Sequence, residues 1–399
     1  MMEFQEFEKI PLIDTHVHRV HPDRAPEFSN LGGGYIDGEN QAYHGRQTIL
    51  FQMVMEELRK EFKMAEDVPV ELVEAERHRR YLADPQGYYR KLIRDQNVLM
   101  YCLEIGSPIG GARYSREETD YFNASLPEGN YCSIVRIDRV MDEALDLAVK
   151  AEETFAKFFA AFQDGLRQEV DREQAVGLKS CAAYTGGLGV EIVSRAEAEK
   201  AYERIRCGQA EAWDRKRLGN FILLVGTDVA EEYGIPIQIH TGAGGGNYID
   251  IATQNPIHLM EFLKDERVKN RVKIVLLHGG HPHEEDTSYL VAQFDNVYTD
   301  FSGTFYLSSV KGVERMAALL ERAPLSKVMY GSDGVMFPEV SWFAYRHFQR
   351  QFYKLLEWME AEGYLTKRRI REVAEMVKFQ NALECYSKVH EMLDGKNKA

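Results

Sequence analysis

The stretch IPLIDTHVH, residues 10–18, joins a short apolar run to a pair of histidines, and it is the first of eight such runs. Each run is apolar or β-branched, is followed by a polar or glycine-containing turn, and gives way to a longer helical pattern. Near-continuous apolar runs of this length indicate parallel strands that are buried on both faces. The other seven are NVLMYCLEIG (97–106), YCSIVRID (131–138), AVGLKSCAAY (175–184), IPIQIH (235–240), VKIVLLH (272–278), NVYTDFS (296–302) and KVMYGSD (327–333).

Strand alternating with helix eight times predicts an α/β protein of the (β/α)8, or TIM-barrel, class. The helical stretches include residues 140–166 and 203–234, and Gly234 followed by Pro236 predicts a helix end and a strand start. Only the first and second strands are far apart, and we interpret residues 20–95 as a mostly helical insertion that caps the barrel mouth. The tail after residue 341 is predicted to form two or more amphipathic helices on the outside. Residues 1–399 are thus interpreted as a single barrel.

The composition argues against several classes of partner. Acidic side chains number 63 against 49 basic ones, so the formal net charge is −14, and such a chain repels phosphate backbones and anionic lipids. We therefore expect a small-molecule substrate, with no nucleic acid or membrane partner. Five cysteines without a CxxC motif predict a reducing, cytoplasmic setting and no disulfide framework. We expect no secretory signal and no membrane-spanning helix, and a homo-oligomer is left open.

Ionisable residues lie at the ends of these runs, where barrel enzymes assemble their sites. A single strand-end histidine is more often structural than a ligand. Several imidazoles and a carboxylate at one mouth would be costly to bury unpaired, and a bound divalent metal removes that cost. His16 and His18 alternate along the first strand, so period-two geometry turns both imidazoles to the same face. The other residues concerned are His240, His278 and Asp333, at the ends of strands five, six and eight, and Lys179, within strand four.

Other residues near these strand ends have two interpretations each. Arg136 could bind a substrate carboxylate through its planar fork, or pair with Asp138 or another strand-end acid. Tyr184 could donate a hydrogen bond to substrate, or pack under its loop. Glu104 could contact substrate or support a metal ligand, and His281 could line the mouth. We interpret HTGAGGGNY (240–248) as backbone that must approach the substrate or metal closely, because it fits neither glycine-rich nucleotide motif.

The ordered series of HVH, a strand-four lysine, strand-five and strand-six histidines and a strand-eight aspartate resembles the amidohydrolase superfamily of metal-dependent barrel enzymes. The segments IDTHVH, GLKSCAAY, IHTGAG, LLHGGHP and YGSDG are most similar to its amidohydrolase-2 branch. That branch includes amidohydrolase-like domains fused to glutamine synthetase-type proteins, and its relatives include decarboxylases, hydratases and uronate isomerase. The resemblance covers the chain except for the 20–95 insertion.

The resemblance implies one or two divalent ions, of which zinc is favoured by a nitrogen and oxygen ligand set. In the two-metal form, His16, His18 and Asp333 hold one ion, His240 and His278 hold the other, and a carbamate on Lys179 bridges them. A buried lysine of lowered pKa supplies the neutral amine that carbamate formation needs. In the one-metal form, His16, His18, His240 and Asp333 surround the ion, His278 polarises the substrate, and Lys179 orients it.

Either form implies the same chemistry. A metal-bound water is acidified, Asp333 takes its proton and passes it to the leaving group, and the metal or His278 stabilises the oxyanion. The leading hypothesis is a hydrolase that cleaves a C–N or C–O bond of an amide, ester or lactone in a small carboxylate-bearing substrate. The alternative is a non-hydrolytic decarboxylase or isomerase of the same superfamily, and a non-enzymatic barrel is a third hypothesis that an intact ligand set disfavours.

Overall fold

Eight parallel strands form one sheet in which each strand pairs with the next along the chain. The computed structural model describes residues 2–20, 28, 31, 38–105, 114–244, 249–303 and 310–398. The predicted (β/α)8 class is confirmed. The strands are β1 Leu12–His18, β2 Val98–Glu104, β3 Tyr131–Arg136, β4 Gly177–Ser180, β5 Ile237–Ile239, β6 Ile274–Leu276, β7 Val297–Asp300 and β8 Val328–Met329.

The residues after β8 close the barrel against β1. Thr15 N donates to Tyr330 O at 3.1 Å, Asp333 N donates to His16 O at 2.9 Å, and His18 N donates to Gly334 O at 2.8 Å. These bonds tie the segment that carries Asp333 directly to the strand that carries the two histidines.

Helices occupy the connections between strands, but two of the predicted helical stretches are each divided in the structure. Residues 140–166 fall in the helices Ile137–Lys150 and Phe155–Glu173. The break includes Glu152, with a left-handed φ of 51°, and Thr154, whose side chain caps the second helix. Residues 203–234 likewise span the end of one helix and the whole of another, which ends before Gly234 (φ 64°) as predicted. These and the remaining outer helices are Arg195–Arg206, Asp214–Tyr233, Phe4–Glu8, Arg116–Asn123, Met260–Lys264, Glu284–Gln293 and Gly312–Leu320.

The described part of the 20–95 insertion is helical and packs against the chain that follows β8. Its helices are Gln41–Arg46, Ile49–Glu61, Val70–Ala83 and Pro85–Ile93. The last three share an apolar cluster with Phe337, Val340 and Phe343. A buried ion pair between Arg77 Nε and Glu339 Oε1, 2.6 Å apart, joins the two parts. Residues 21–27, 29, 30 and 32–37 lie outside the described residues, and the capping role and the single-domain assignment stay predictions.

The C-terminal tail differs from the expectation that it packs only on the outside. Its helices are Pro338–Ala361, Lys367–Glu375, Asn381–Cys385 and Ser387–Lys398. The first packs outside the barrel, but Ala382, Cys385, Tyr386 and Val389 cluster with residues of six strands. Side chains from so many strands can meet only inside a barrel. The end of the tail therefore closes the barrel opposite the carboxyl ends of the strands, which period-based reasoning about amphipathic helices could not reveal.

Two further features concern the cysteines and the apolar character of the helices. All five cysteines are free thiols, and every one except Cys207 is buried. Among the described residues, none of the helices has an apolar stretch of the length that a lipid bilayer requires.

Candidate metal centre

The imidazoles of His16 and His18 converge on the carboxylate of Asp333 at the mouth of the barrel. His16 Nε2 and His18 Nε2 lie 3.4 and 3.3 Å from Asp333 Oδ1. His278 Nδ1 lies 3.7 Å from the other oxygen, Asp333 Oδ2. Ligand atoms of His16, His278 and Asp333 all fall within 4.8 Å of one another. Three histidines predicted from strand-end positions thus share one carboxylate.

The electrostatics of this group favour a positive charge between the rings. Burial alone would lower the pKa of His18, but hydrogen bonding to Asp333 and Glu104 raises it above its ordinary value. Glu104 Oε2 accepts from His18 Nδ1 at 2.9 Å. Burial raises the pKa of Asp333, yet the neighbouring His278, His16 and His18 hold it well below its usual range. The ionised carboxylate of Asp333 therefore lies among imidazole nitrogens, which is the arrangement that a cation site requires.

A chain of hydrogen bonds fixes the tautomers of His278 and His240. Ser302 Oγ donates to Asp300 Oδ1 at 2.8 Å, so it can only accept from His278 Nδ1, which lies 2.8 Å away. Burial lowers the pKa of His278 to about 4, so its ring is neutral and Nε2 carries a lone pair. That atom accepts from His240 Nδ1 at 3.0 Å. His240 Nε2 is then left with a lone pair, which is the form that binds a metal.

Lys179 and Arg136 lie beside this centre in a buried cluster. Lys179 is 1% exposed, and burial lowers its pKa, as predicted. Arg136 donates to Cys181 Sγ at 2.6 Å, and its other terminal nitrogen lies 3.9 Å from Glu104 Oε2. The structure thus shows Arg136 near a strand-end acid, as one interpretation expected. Contact of Arg136 with a substrate carboxylate, and a carbamate on Lys179, stay predictions.

Tyr184 lies over His240 and under the loop that follows β5. The two ring centroids are 4.6 Å apart. A Cβ atom added at Gly244 would lie 2.5 Å from Tyr184 Oη and 3.0 Å from His240 Nε2. The backbone of this loop therefore lies close to His240, and a side chain at Gly244 would require Tyr184 or its other neighbours to shift. Residues 245–248 of HTGAGGGNY lie outside the described residues.

His281 is held in place by an ion pair that the sequence did not suggest. Glu284 Oε1 accepts from His281 Nδ1 at 2.8 Å, and Arg315 donates to both oxygens of Glu284 at 2.9 and 3.1 Å. The carbonyl of His281 accepts from Ala243 N at 2.6 Å. These contacts connect the turn after His278 to the loop above His240.

Two of the predicted site residues have left-handed backbone. His278 has a φ of 66° and Asp333 a φ of 49°, conformations that non-glycine residues adopt rarely and that concentrate at functional sites. Both lie beyond the strands, which end at Leu276 and Met329. The predicted placement at the strand ends was therefore close, but the turn that aims each side chain was not foreseen.

The residues fit a divalent cation. Among the residues that the structure describes, the buried atoms His16 Nε2 and His240 Nε2 have no hydrogen-bond partner. Leaving such atoms unpaired is costly, and a metal ion satisfies them. The nitrogen and carboxylate donor set with no thiolate in contact suits zinc and similar ions.

Supporting residues were largely missed from the sequence. Ser302 and Asp300 orient His278, and Gln238 Oε1 lies 3.0 Å from His16 Nδ1. A polar residue inside an apolar strand run, as in IPIQIH, was the available signal for Gln238. Nothing in NVYTDFS indicated which ring its polar residues would contact.

Comparisons with known proteins relate the chain to one family and one fold. The amidohydrolase family model matches residues 13–362. The protein fluG of Emericella nidulans is 26% identical over 246 residues, which are 59% of this chain but only 28% of that protein. A proposed metal-dependent hydrolase from Lactobacillus casei is 20% identical, with a TM-score of 0.80 over 97% of this chain and 98% of that one.

Two sugar-acid isomerases share the fold at lower identity. Glucuronate isomerase from Caulobacter crescentus is 14% identical, with a TM-score of 0.67 over 96% of this chain and 92% of that one. Uronate isomerase from Thermotoga maritima is 15% identical, with a TM-score of 0.60 over 96% of each chain. Structural likeness at these identities shows the barrel alone, whereas the family match spans most of the sequence. This chain therefore belongs to the amidohydrolase family.

Proposed function

We propose that this protein is a metal-dependent hydrolase that uses water to cleave the C–N or C–O bond of a small carboxylate-bearing amide, ester or lactone. The observation that carries the proposal is the convergence of His16 Nε2 and His18 Nε2 on Asp333 Oδ1, at 3.4 and 3.3 Å. A divalent ion held there, with zinc as the first choice, supplies an acidified water and a Lewis acid.

The residues around this position have the protonation states that the reaction needs. The lowered pKa of Asp333 keeps its carboxylate ionised at neutral pH, so it can accept a proton from water and return it to the leaving group. His240 Nε2 keeps its lone pair, because Nδ1 of the same ring donates its proton to His278 Nε2. This supports the one-metal ligand set of His16, His18, His240 and Asp333. The predicted action of His278 on the substrate carbonyl would require its Nε2 to leave His240 and to carry a proton, because a carbonyl oxygen can only accept.

The substrate-binding part of the proposal rests on the cationic side of the mouth. Arg136 and Lys179 are buried beside Glu104, and a substrate carboxylate could share the Arg136 fork. Tyr184 lies next to His240, from where its hydroxyl could donate to a substrate oxygen.

The test begins with metal-depleted protein reconstituted with zinc, manganese or nickel and assayed on N-acyl amino acids, dicarboxylate esters and lactone acids. We expect turnover that requires metal and that incorporates one ¹⁸O atom from labelled water into the product carboxylate. Asp333→Asn should reduce kcat about 10²–10⁴-fold. The matched control is Asp295→Asn, because the Asp295 side chain is 99% exposed. Full activity after Asp333→Asn would reject the proton-transfer role.

A second candidate, a sugar-acid isomerase, is favoured by the bond between His278 and His240. That bond occupies nitrogens that a second metal would need, and a one-metal centre without a carbamate suits non-hydrolytic chemistry. The barrels of the Caulobacter crescentus and Thermotoga maritima isomerases also match at TM-scores of 0.67 and 0.60. Conversion of an aldose uronate to a ketose without ¹⁸O uptake would decide for this candidate, and carbon dioxide release would decide for a decarboxylase.

A further inference from the structure

We propose that Gln238 and Tyr386 are positioning residues that lock His16 in the tautomer with its lone pair on Nε2. The inference rests on the proposed function in one respect, since it takes His16 to be a metal ligand. It adds the C-terminal tail to the metal centre, and Tyr386 lies beyond the residues 13–362 that the family match covers.

The orientation of the Gln238 amide follows from its neighbours. Its Nε2 donates to Thr15 O at 2.6 Å and to Tyr386 Oη at 2.8 Å. A backbone carbonyl can only accept, so the nitrogen end of the amide must face Thr15. Both amide protons are then used, and Oε1 is the atom that lies 3.0 Å from His16 Nδ1.

The orientation of the amide in turn determines the tautomer of His16. Because Oε1 can only accept, His16 Nδ1 must carry the proton. A neutral imidazole with its proton on Nδ1 holds its lone pair on Nε2. The opposite tautomer would place two lone pairs against each other in a fully buried site. Ring orientation and ligand basicity are set by such partners in metal sites generally.

Tyr386 holds the amide from below. It is fully buried and packs among strand residues that include Ile13, Cys102 and Val275 inside the barrel. Without its hydroxyl, one Gln238 proton loses its acceptor, and the amide gains freedom to turn. Tyr386 therefore helps to orient the His16 lone pair, although the two residues are 370 positions apart along the chain.

The test compares Gln238→Leu, Gln238→Glu and Tyr386→Phe for zinc affinity, measured by competition with a chelating dye. Leucine removes the acceptor, and we expect a loss of about 10–100-fold. Protonated glutamate can donate to Thr15 O and present its other oxygen to His16 Nδ1, so affinity should stay near that of the unsubstituted protein. Tyr386→Phe keeps the ring and should fall between the two. The control is Thr227→Val, which alters a buried hydroxyl on the outer helix Asp214–Tyr233 and should leave affinity unchanged.

A second measurement separates failure of this inference from failure of the proposed function. Nitrogen-15 NMR of metal-free protein labelled at histidine, assigned with His16→Asn, reports which His16 nitrogen is protonated. We expect Nδ1–H in the unsubstituted protein and in Gln238→Glu, and a shift towards Nε2–H in Gln238→Leu. If no divalent metal binds, the proposed function fails, but the NMR result still tests the lock. An unchanged tautomer in folded Gln238→Leu, or equal affinity losses for the leucine and glutamate variants, would overturn the inference.

Discussion

Lys378 offers a direct test of how the tail is held under the barrel. Its amine is buried, donates to Phe7 O at 2.6 Å and to Gln349 Oε1 at 3.0 Å, and lies 4.2 Å from the centre of the Phe7 ring. Burial lowers the pKa of Lys378 from 10.5 to about 7. This difference in pKa means that the free energy of unfolding is about 5 kcal/mol lower when the amine is charged in both the folded and the unfolded chain.

The sign of the pH dependence follows from this lowered pKa. Below about pH 7 both the folded and the unfolded chain bind the proton, and the penalty applies in full. Between pH 7 and 10.5 the folded chain has released the proton while the unfolded chain keeps it, so stability rises with pH. From pH 7 to 9 the gain from this group is about 2 kcal/mol.

The substitution Lys378→Met keeps a long, unbranched side chain and removes the titrating amine. Urea unfolding followed by circular dichroism at pH 6, 7, 8 and 9 would give the free energy of unfolding of both proteins. We expect the unsubstituted protein to gain about 2 kcal/mol relative to the variant between pH 7 and 9. Lys354→Met, at an exposed position of the helix Pro338–Ala361 that also carries Gln349, should follow the unsubstituted protein. Parallel pH curves for the protein and Lys378→Met would refute a neutral, buried amine.

Three further outcomes follow from the structure. Arg77→Met should lower the free energy of unfolding by about 3–5 kcal/mol, because it leaves the buried Glu339 carboxyl without its arginine partner, and the added change Glu339→Met should recover most of the loss in urea titrations. Gly244→Ala should lower kcat/KM, because its Cβ would lie 2.5 Å from Tyr184 Oη, and the loss should be smaller in a Tyr184→Phe background. Zinc at 100 times its Kd should raise the free energy of unfolding by about 2.7 kcal/mol. The assigned ligand set would be contradicted if the intact protein lacked this gain, or if Asp333→Asn kept it.

The barrel and the position of the metal centre could be predicted because both depend on local patterns. Each strand is a short apolar run, and parallel strands in a barrel bring all their carboxyl ends to one mouth. These runs carry His16, His18, His240, His278 and Asp333 at or near their carboxyl ends. Order along the chain was therefore enough to bring them together.

The aim of each side chain could not be predicted, because it depends on contacts between distant segments. In the sequence, Gln238 is a single polar residue in an apolar strand. Its contact with His16 becomes apparent only in the fold, where Tyr386 contacts its amide. His281 lies in a glycine-rich turn, and its partner Glu284 is oriented by Arg315 from a helix farther along the chain. No periodicity links such residues, since the pairing depends on the closed barrel.

The left-handed backbone at His278 and Asp333 shows how these contacts serve the centre. Each such residue costs roughly 1–2 kcal/mol, so the conformation persists only where other bonds enforce it. His278 N donates to Asp300 Oδ1 at 2.8 Å, and Asp333 N donates to His16 O at 2.9 Å. The turns that carry the two side chains are therefore fixed by the barrel wall before any ion binds. A ligand set held in this way gives up little conformational entropy on binding, and its geometry is set by the fold rather than by the metal.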